Sequence, residues 1–329
     1  VAVTDYLAEW SCETRVLDPL AELILTQTTD ELEVVRRAGD ADVFLVFHDI
    51  KLTERSISQF PNCKGIIRCG VGFDNVDLEA SGRRGIVVCN VPDYGTEEVA
   101  DHALLLLIAL ARRLVPAHES IRRGAWDPTV VFGAPRLRRK TLGLVGCGRI
   151  GSAMALRAKA IGMRVVFFDP YVADGREKAL GVERTYGLVE LLEQSEFLSL
   201  HCPLTAETYH LLNDESLSRL PQGAYVINTA RGPCVDGAAL IRALDSGWLA
   251  SAALDVVERE PLDDERIRRH PQILLTPHAA FYSAEGYIEL RTKAAMEAKR
   301  ILLGEPVRNP VNLPWLQNPR CPVPEFARG

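Results

Sequence analysis

Short β-branched runs alternate with helix-like stretches along almost the whole chain, the pattern of parallel strands joined by crossover helices. In the first part, strands are predicted at residues 1–4, 22–25, 43–47, 65–68 and 86–89, with helical segments such as 29–38 between them. A second series opens after Val91-Pro92 with a strongly apolar helix over 96–113. Its strands are predicted at 141–145, 165–168, 197–201, 224–228, 252–254 and 273–276. Six strands with helices between them is the count of a complete dinucleotide-binding domain. A last helix over about 283–303 stops at Gly304 and gives way to a proline-rich stretch, 306–324, expected to lie along a surface or fray rather than form an element.

Length sharpens this α/β reading into two domains, because 329 residues exceed one comfortable core. The boundaries expected are 1–91 plus 290–329 for a discontinuous first domain and 92–289 for the second. A net charge of −6, with Lys and Arg scattered among Asp and Glu, leaves no broad basic face for nucleic acid. The longest apolar run, 103–111, is far short of the roughly twenty residues of a membrane-spanning helix. Residues 1–4 lack the basic and apolar regions of a signal peptide, so a soluble cytoplasmic protein is expected. The eight cysteines are dispersed and none forms a CxxC pair, so neither a metal site nor a disulfide is expected.

Gly146-Cys147-Gly148-Arg149-Ile150-Gly151 is a GxGxxG that follows a strand and opens a helix. In that context the first glycine allows the turn, the second lets a pyrophosphate approach the backbone, and the third lets helix and strand pack. Asp169 lies 18 residues beyond Gly151 at the end of the next strand, near the spacing of about 20 expected of a ribose-binding acid. Its carboxylate would accept from ribose hydroxyls and repel a 2′-phosphate, so NAD is the expected cofactor. Some 140 residues precede the glycine loop, so a whole domain comes before the cofactor domain.

With these motifs in order, the chain resembles the D-isomer-specific 2-hydroxyacid dehydrogenases, most closely the branch of the C-terminal binding proteins. The matching segments are 68–77 (RCGVGFDNVD), 89–92 (CNVP), 146–151, 228–232 (NTARG), 253–256 (ALDV) with Glu260-Pro261, and 277–280 (PHAA) with Tyr282-Ser283. That resemblance implies two Rossmann-like or flavodoxin-like domains with parallel sheets and substrate bound between them. It implies Arg231 as the substrate-binding arginine, His278 as the acid/base and Glu260 as its partner. It further implies cofactor contacts from Thr96, Arg149, Ile150, Pro203, Thr229, Ala230, Asp255 and His278, and substrate contacts from His48, Arg68 and the Val71-Gly72 backbone. The branch carries Trp where this chain has Phe281.

Those roles suit the chemistry. Reducing a 2-keto acid requires a cation for the carboxylate and a proton donor at the carbonyl as hydride arrives. A guanidinium meets a carboxylate with two parallel hydrogen bonds. A carboxylate beside an imidazole orients the ring and favours its protonated form. The matching helix 96–113 implies a homodimer. Two other readings stand beside the dehydrogenase: a dimeric NAD(H)-sensing interaction protein like the corepressors of the branch, and a short phosphoglycerate dehydrogenase. His201 is expected to line the nicotinamide pocket or end a strand, and His102, His118, His210 and His270 are expected in surface or packing roles.

Overall fold

A computed structural model describes residues 1–324 of the chain. They divide into two compact units, residues 1–95 with 283–324 and residues 96–282. The divisions fall a few residues from the expected 91/92 and 289/290. The second shifts because Ser283 caps the last helix by accepting from the Gly286 amide, which keeps the cap and the whole helix in one unit.

Unit 1 holds five parallel strands, β1 (Ala2–Val3), β2 (Ile24–Leu25), β3 (Val43–Val46), β4 (Gly65–Arg68) and β5 (Val87–Asn90), in the order β2-β1-β3-β4-β5. That order is flavodoxin-like, with its switch point between β1 and β3. Asp5, just after β1, is buried there and accepts from the amides of Phe47, Asp49 and Ile50, so it fixes the loop that follows β3. The last helix, Ala284–Leu303, packs on β3, β4 and the helix Ser11–Leu17. The proline-rich stretch does more than lie along a surface. Buried Asn312 accepts from the Val88 amide and donates to the Ile86 carbonyl, satisfying the outer edge of β5.

Unit 2 holds seven parallel strands, β6 (Thr141–Val145), β7 (Arg164–Phe168), β8 (Glu183–Thr185), β9 (Phe197–Leu200), β10 (Ala224–Asn228), β11 (Leu249–Leu254) and β12 (Ile273–Leu275), in the order β12-β11-β10-β9-β6-β7-β8. The sequence pattern supplied six of them. Alternate residues of each strand enter different cores: Leu142, Leu144 and Phe167 join one apolar cluster, Val145 and Val166 the other. A sheet covered on both faces reads as a continuous apolar run, which is why its central strands stand out in the sequence. The helix Thr96–Ala111 packs on the helix Arg149–Ala160 and on β10 and β11. No helix among the described residues is long and apolar enough to cross a membrane.

Candidate active site

The chain reverses direction through the unit 2 sheet between β6 and β9, and ligand crevices of open α/β sheets lie at such a point, beyond the carboxyl ends of the strands. The glycine loop follows β6 there. Gly146 has φ +93°, and a Cβ on Gly151 would stand 2.2 Å from the Gly146 carbonyl oxygen, so both positions require glycine. A Cβ on Gly148 would meet nothing within 4 Å, which leaves open space beside the first turn of the helix that starts at Arg149 and Ile150. Asp169, just past β7, accepts from the Cys147 amide at 2.8 Å and from the Tyr171 amide at 2.9 Å, one on each carboxylate oxygen. Each oxygen keeps a lone pair for a further donor.

Two neighbouring strands end in polar atoms that are buried without a partner among the described residues: Thr229 Oγ1 after β10, beside buried Ala230, and Nδ1 of His201 after β9. His201 Nε2 is 2.9 Å from Ser199 Oγ, and burial lowers the imidazole pKa to about 4, so the ring is neutral and offers one unused nitrogen. Pro203 is exposed and its carbonyl accepts from Thr208. Orphaned buried polar atoms are rare in finished proteins. Here they lie along the same strand-end edge as the open glycine turn and Asp169, so the residues fit a dinucleotide.

Arg231, Glu260 and His278 follow β10, β11 and β12. His278 Nδ1 and Glu260 Oε2 are 2.7 Å apart, and both side chains are partly exposed, 23% and 30%. The other Glu260 oxygen accepts from the Val257 amide at 3.1 Å, which fixes the carboxylate. Arg231 is half-buried and donates to the Ala230 carbonyl. Asp255 follows β11 at its carboxyl end. It is buried, and its carboxylate accepts from the Thr276 hydroxyl and the amides of Ala279 and Ala280.

In unit 1, Arg68 ends β4 and its Nη2 is 3.2 Å from Nδ1 of His48. Its Nη1 donates to the Cys69 carbonyl at 2.8 Å, folding the guanidinium over Gly70, where a Cβ would stand 1.5 Å from it. Gly70 has φ +153°, and the chain continues through Val71, whose carbonyl accepts from Asn90, to Gly72. Asn75 ties the cluster together by donating to the Phe47 and Ile50 carbonyls on either side of His48 and accepting from Arg68. Pattern reading passed over Asp5 and Asn75, which act on backbone far away in sequence. His102, expected in a surface or packing role, has its Nε2 3.0 Å from Thr276 Oγ1.

A doubly wound unit with a glycine phosphate loop, a strand-end acid and a carboxylate–imidazole pair defines a dinucleotide-dependent α/β protein. Residues 104–280 match the family model of the D-isomer specific 2-hydroxyacid dehydrogenase, NAD binding domain. This chain belongs to that family, and its unit 2 is the family's NAD-binding domain. It is 36% identical over 314 residues to D-3-phosphoglycerate dehydrogenase of Methanocaldococcus jannaschii, covering 95% of this chain and 59% of that protein. It is 35% identical over 301 residues to D-3-phosphoglycerate dehydrogenase of Synechocystis, covering 92% and 54%. The chain thus spans little more than half the length of these curated relatives. The apo structure of D-mandelate dehydrogenase from Rhodotorula graminis superposes with a TM-score of 0.85 at 28% identity, covering 98% of each chain. Neither curated relative is named for the C-terminal binding protein branch.

Proposed function

We propose that this chain is an NAD-dependent dehydrogenase that interconverts a 2-keto acid and a D-2-hydroxy acid. The observation that carries the reading is the 2.7 Å bond between His278 and Glu260, beyond strands of the same parallel sheet that bears the glycine loop and Asp169. When bound, the cofactor supplies or accepts the hydride. Gly146, Gly148 and Gly151 shape the turn that receives its pyrophosphate, with Arg149 and Ile150 opening the helix behind it. Asp169 accepts from the ribose hydroxyls and disfavours a 2′-phosphate, and Thr229 Oγ1 and His201 Nδ1 offer polar atoms along the rest of the crevice.

Arg231 holds the substrate carboxylate with its guanidinium fork. His278 donates a proton to the carbonyl oxygen during reduction and takes it back during oxidation, while Glu260 fixes the ring and stabilises the imidazolium. Arg68, set beside His48, offers a second cation suited to a longer or doubly charged acid. A phosphorylated substrate is a second reading, favoured by the names of the two curated relatives. The apolar helix Thr96–Ala111 and the segment after it expose Leu105, Leu114, Ile121, Phe132 and, at 89%, Trp126, and these side chains support a homodimer through this face. Light scattering should return the mass of two chains.

The test is a panel of 2-keto acids, including 3-phosphohydroxypyruvate, assayed with NADH and NADPH on the parent chain and on Arg68→Ala. Turnover with a marked NADH preference is expected, with Arg68→Ala raising KM chiefly for acids that carry a second anionic group. Absence of turnover on every acid, with NADH still bound, would defeat the dehydrogenase reading and leave nucleotide-sensed association as the activity to pursue.

A further inference from the structure

His278 is a non-glycine residue in the left-handed region, with φ +52°. L-residues seldom adopt that conformation, and it persists only where the surroundings impose it. Here one buried residue does most of the imposing. The carbonyl of Asp255 accepts from the His278 amide at 2.8 Å, and its carboxylate accepts from Ala279 at 2.9 Å and Ala280 at 3.0 Å. Three consecutive amides across the bend therefore converge on Asp255. The carboxylate is in turn oriented by the Thr276 hydroxyl, which donates to Oδ1 at 2.5 Å.

A hydroxyl has one proton, and Thr276 gives it to Asp255. Toward the His102 ring, 3.0 Å away, its oxygen can then only accept, so His102 carries hydrogen on Nε2 and donates. That nitrogen is also 3.7 Å from Asp255 Oδ1, close enough for its hydrogen to favour the carboxylate electrostatically. His102 stands on the helix Thr96–Ala111, away in sequence from every other member of the chain of bonds.

We infer that His102 is a positioning residue for the dehydrogenase: through Thr276 and Asp255 it locks the left-handed turn that aims the His278 ring. The inference rests on the reading of His278 as the acid/base. His102 touches neither His278 nor the reacting atoms in this scheme. Its donated hydrogen fixes the Thr276 rotor, the rotor fixes the carboxylate, and the carboxylate fixes the Ala279 and Ala280 amides that follow His278, whose own amide is held by the Asp255 carbonyl. Without it the Thr276 hydroxyl is free to turn away, and Asp255 loses the donor that sets its plane.

The experiment compares the parent chain with His102→Ala and with His102→Gln, whose side-chain amide can still donate to Thr276. In cofactor-free protein, hydrogen exchange of the Ala279 and Ala280 amides should quicken in His102→Ala and return toward the parent rate in His102→Gln. With substrate, His102→Ala should lose about tenfold to a hundredfold in kcat while NADH affinity is unchanged. The isotope effect with NADH deuterated at the transferred position should grow, since a misaimed acid makes the chemical step slower. A smaller folded fraction would lower kcat and leave the isotope effect alone. Unchanged amide exchange in His102→Ala overturns the inference whether or not the protein turns over. Loss of kcat with an unchanged isotope effect overturns it too. A parent chain that turns over no 2-keto acid defeats the functional reading instead, and the exchange result then still decides whether His102 holds the turn.

Discussion

Two carboxylate–cation pairs, one in each unit, show how environment decides what such a pair is for. In unit 1, Arg291 on the last helix meets Glu13 on the helix Ser11–Leu17 with two parallel hydrogen bonds, Nε to Oε1 at 2.8 Å and Nη2 to Oε2 at 2.5 Å. Their side chains are 3% and 1% exposed. Two further guanidinium hydrogens go to the Glu9 carboxylate and carbonyl, and Tyr287 lies under the cation with its ring centre 5.5 Å away. Burial opposes the charge on Arg291, yet the bonds to Glu13 and Glu9 outweigh it and raise its pKa further above the ordinary value. In unit 2, His278 Nδ1 and Glu260 Oε2 are 2.7 Å apart and both side chains keep part of their surface open. The first pair is buried, and its arginine stays charged. The second stays partly exposed, so a ligand can reach it, which is what proton transfer needs.

That contrast can be broken at either end. The largest effect is expected at His278: His278→Ala should lower kcat in both directions by about 10²–10⁴-fold with NADH still bound, measured by steady-state rates and fluorescence titration. Full activity would remove the acid/base assignment. Next comes the staple. Arg291→Met leaves Glu13 buried without its cation and should cost about 3–5 kcal/mol in denaturant unfolding, whereas Arg291→Met with Glu13→Leu should recover most of it. Equal losses in both variants would mean the pair contributes packing and little electrostatics. The smallest effect sharpens the functional pair. Because His278 must be protonated to reduce, keto-acid reduction should fall as pH rises and hydroxy-acid oxidation should fall as pH drops. Glu260→Gln removes the carboxylate that holds Nδ1 of the ring, so kcat should fall in both directions by less than in His278→Ala while NADH affinity stays near its parent value. Unchanged kcat, in a reaction limited by chemistry, would show that Glu260 does not orient the ring.

The legible parts of this molecule are those whose physics is local. Strands β4, β6 and β10 can be bounded to the residue because each is a short apolar run between turn residues, buried on both faces of its sheet. The edge strand β8, Glu183–Thr185, escaped because it is three residues long, mostly polar and paired on one side only. Strand β11 begins at Leu249, three residues before its apolar signal, since Ala250 and Ser251 carry little pattern. In the site, the glycine loop and Asp169 announce themselves by spacing. Asp255 and His102 do not, because their work is to hold backbone that lies 23 to 178 residues away in sequence. A lone histidine within the apolar stretch 99–111 reads as packing until its partner is seen.

One consequence of the divided unit concerns synthesis rather than chemistry. Residues 96–282 form a continuous stretch that emerges from the ribosome with all its strands in hand. The first 95 residues emerge earlier, but Glu13 meets its buried cation only when Arg291 is made, and the edge of β5 waits for Asn312. At roughly 5–20 residues per second the interval between Glu13 and Arg291 is on the order of tens of seconds. The half translated first is therefore the half completed last, and over that interval its strands are the nascent surface that cellular chaperones must shield.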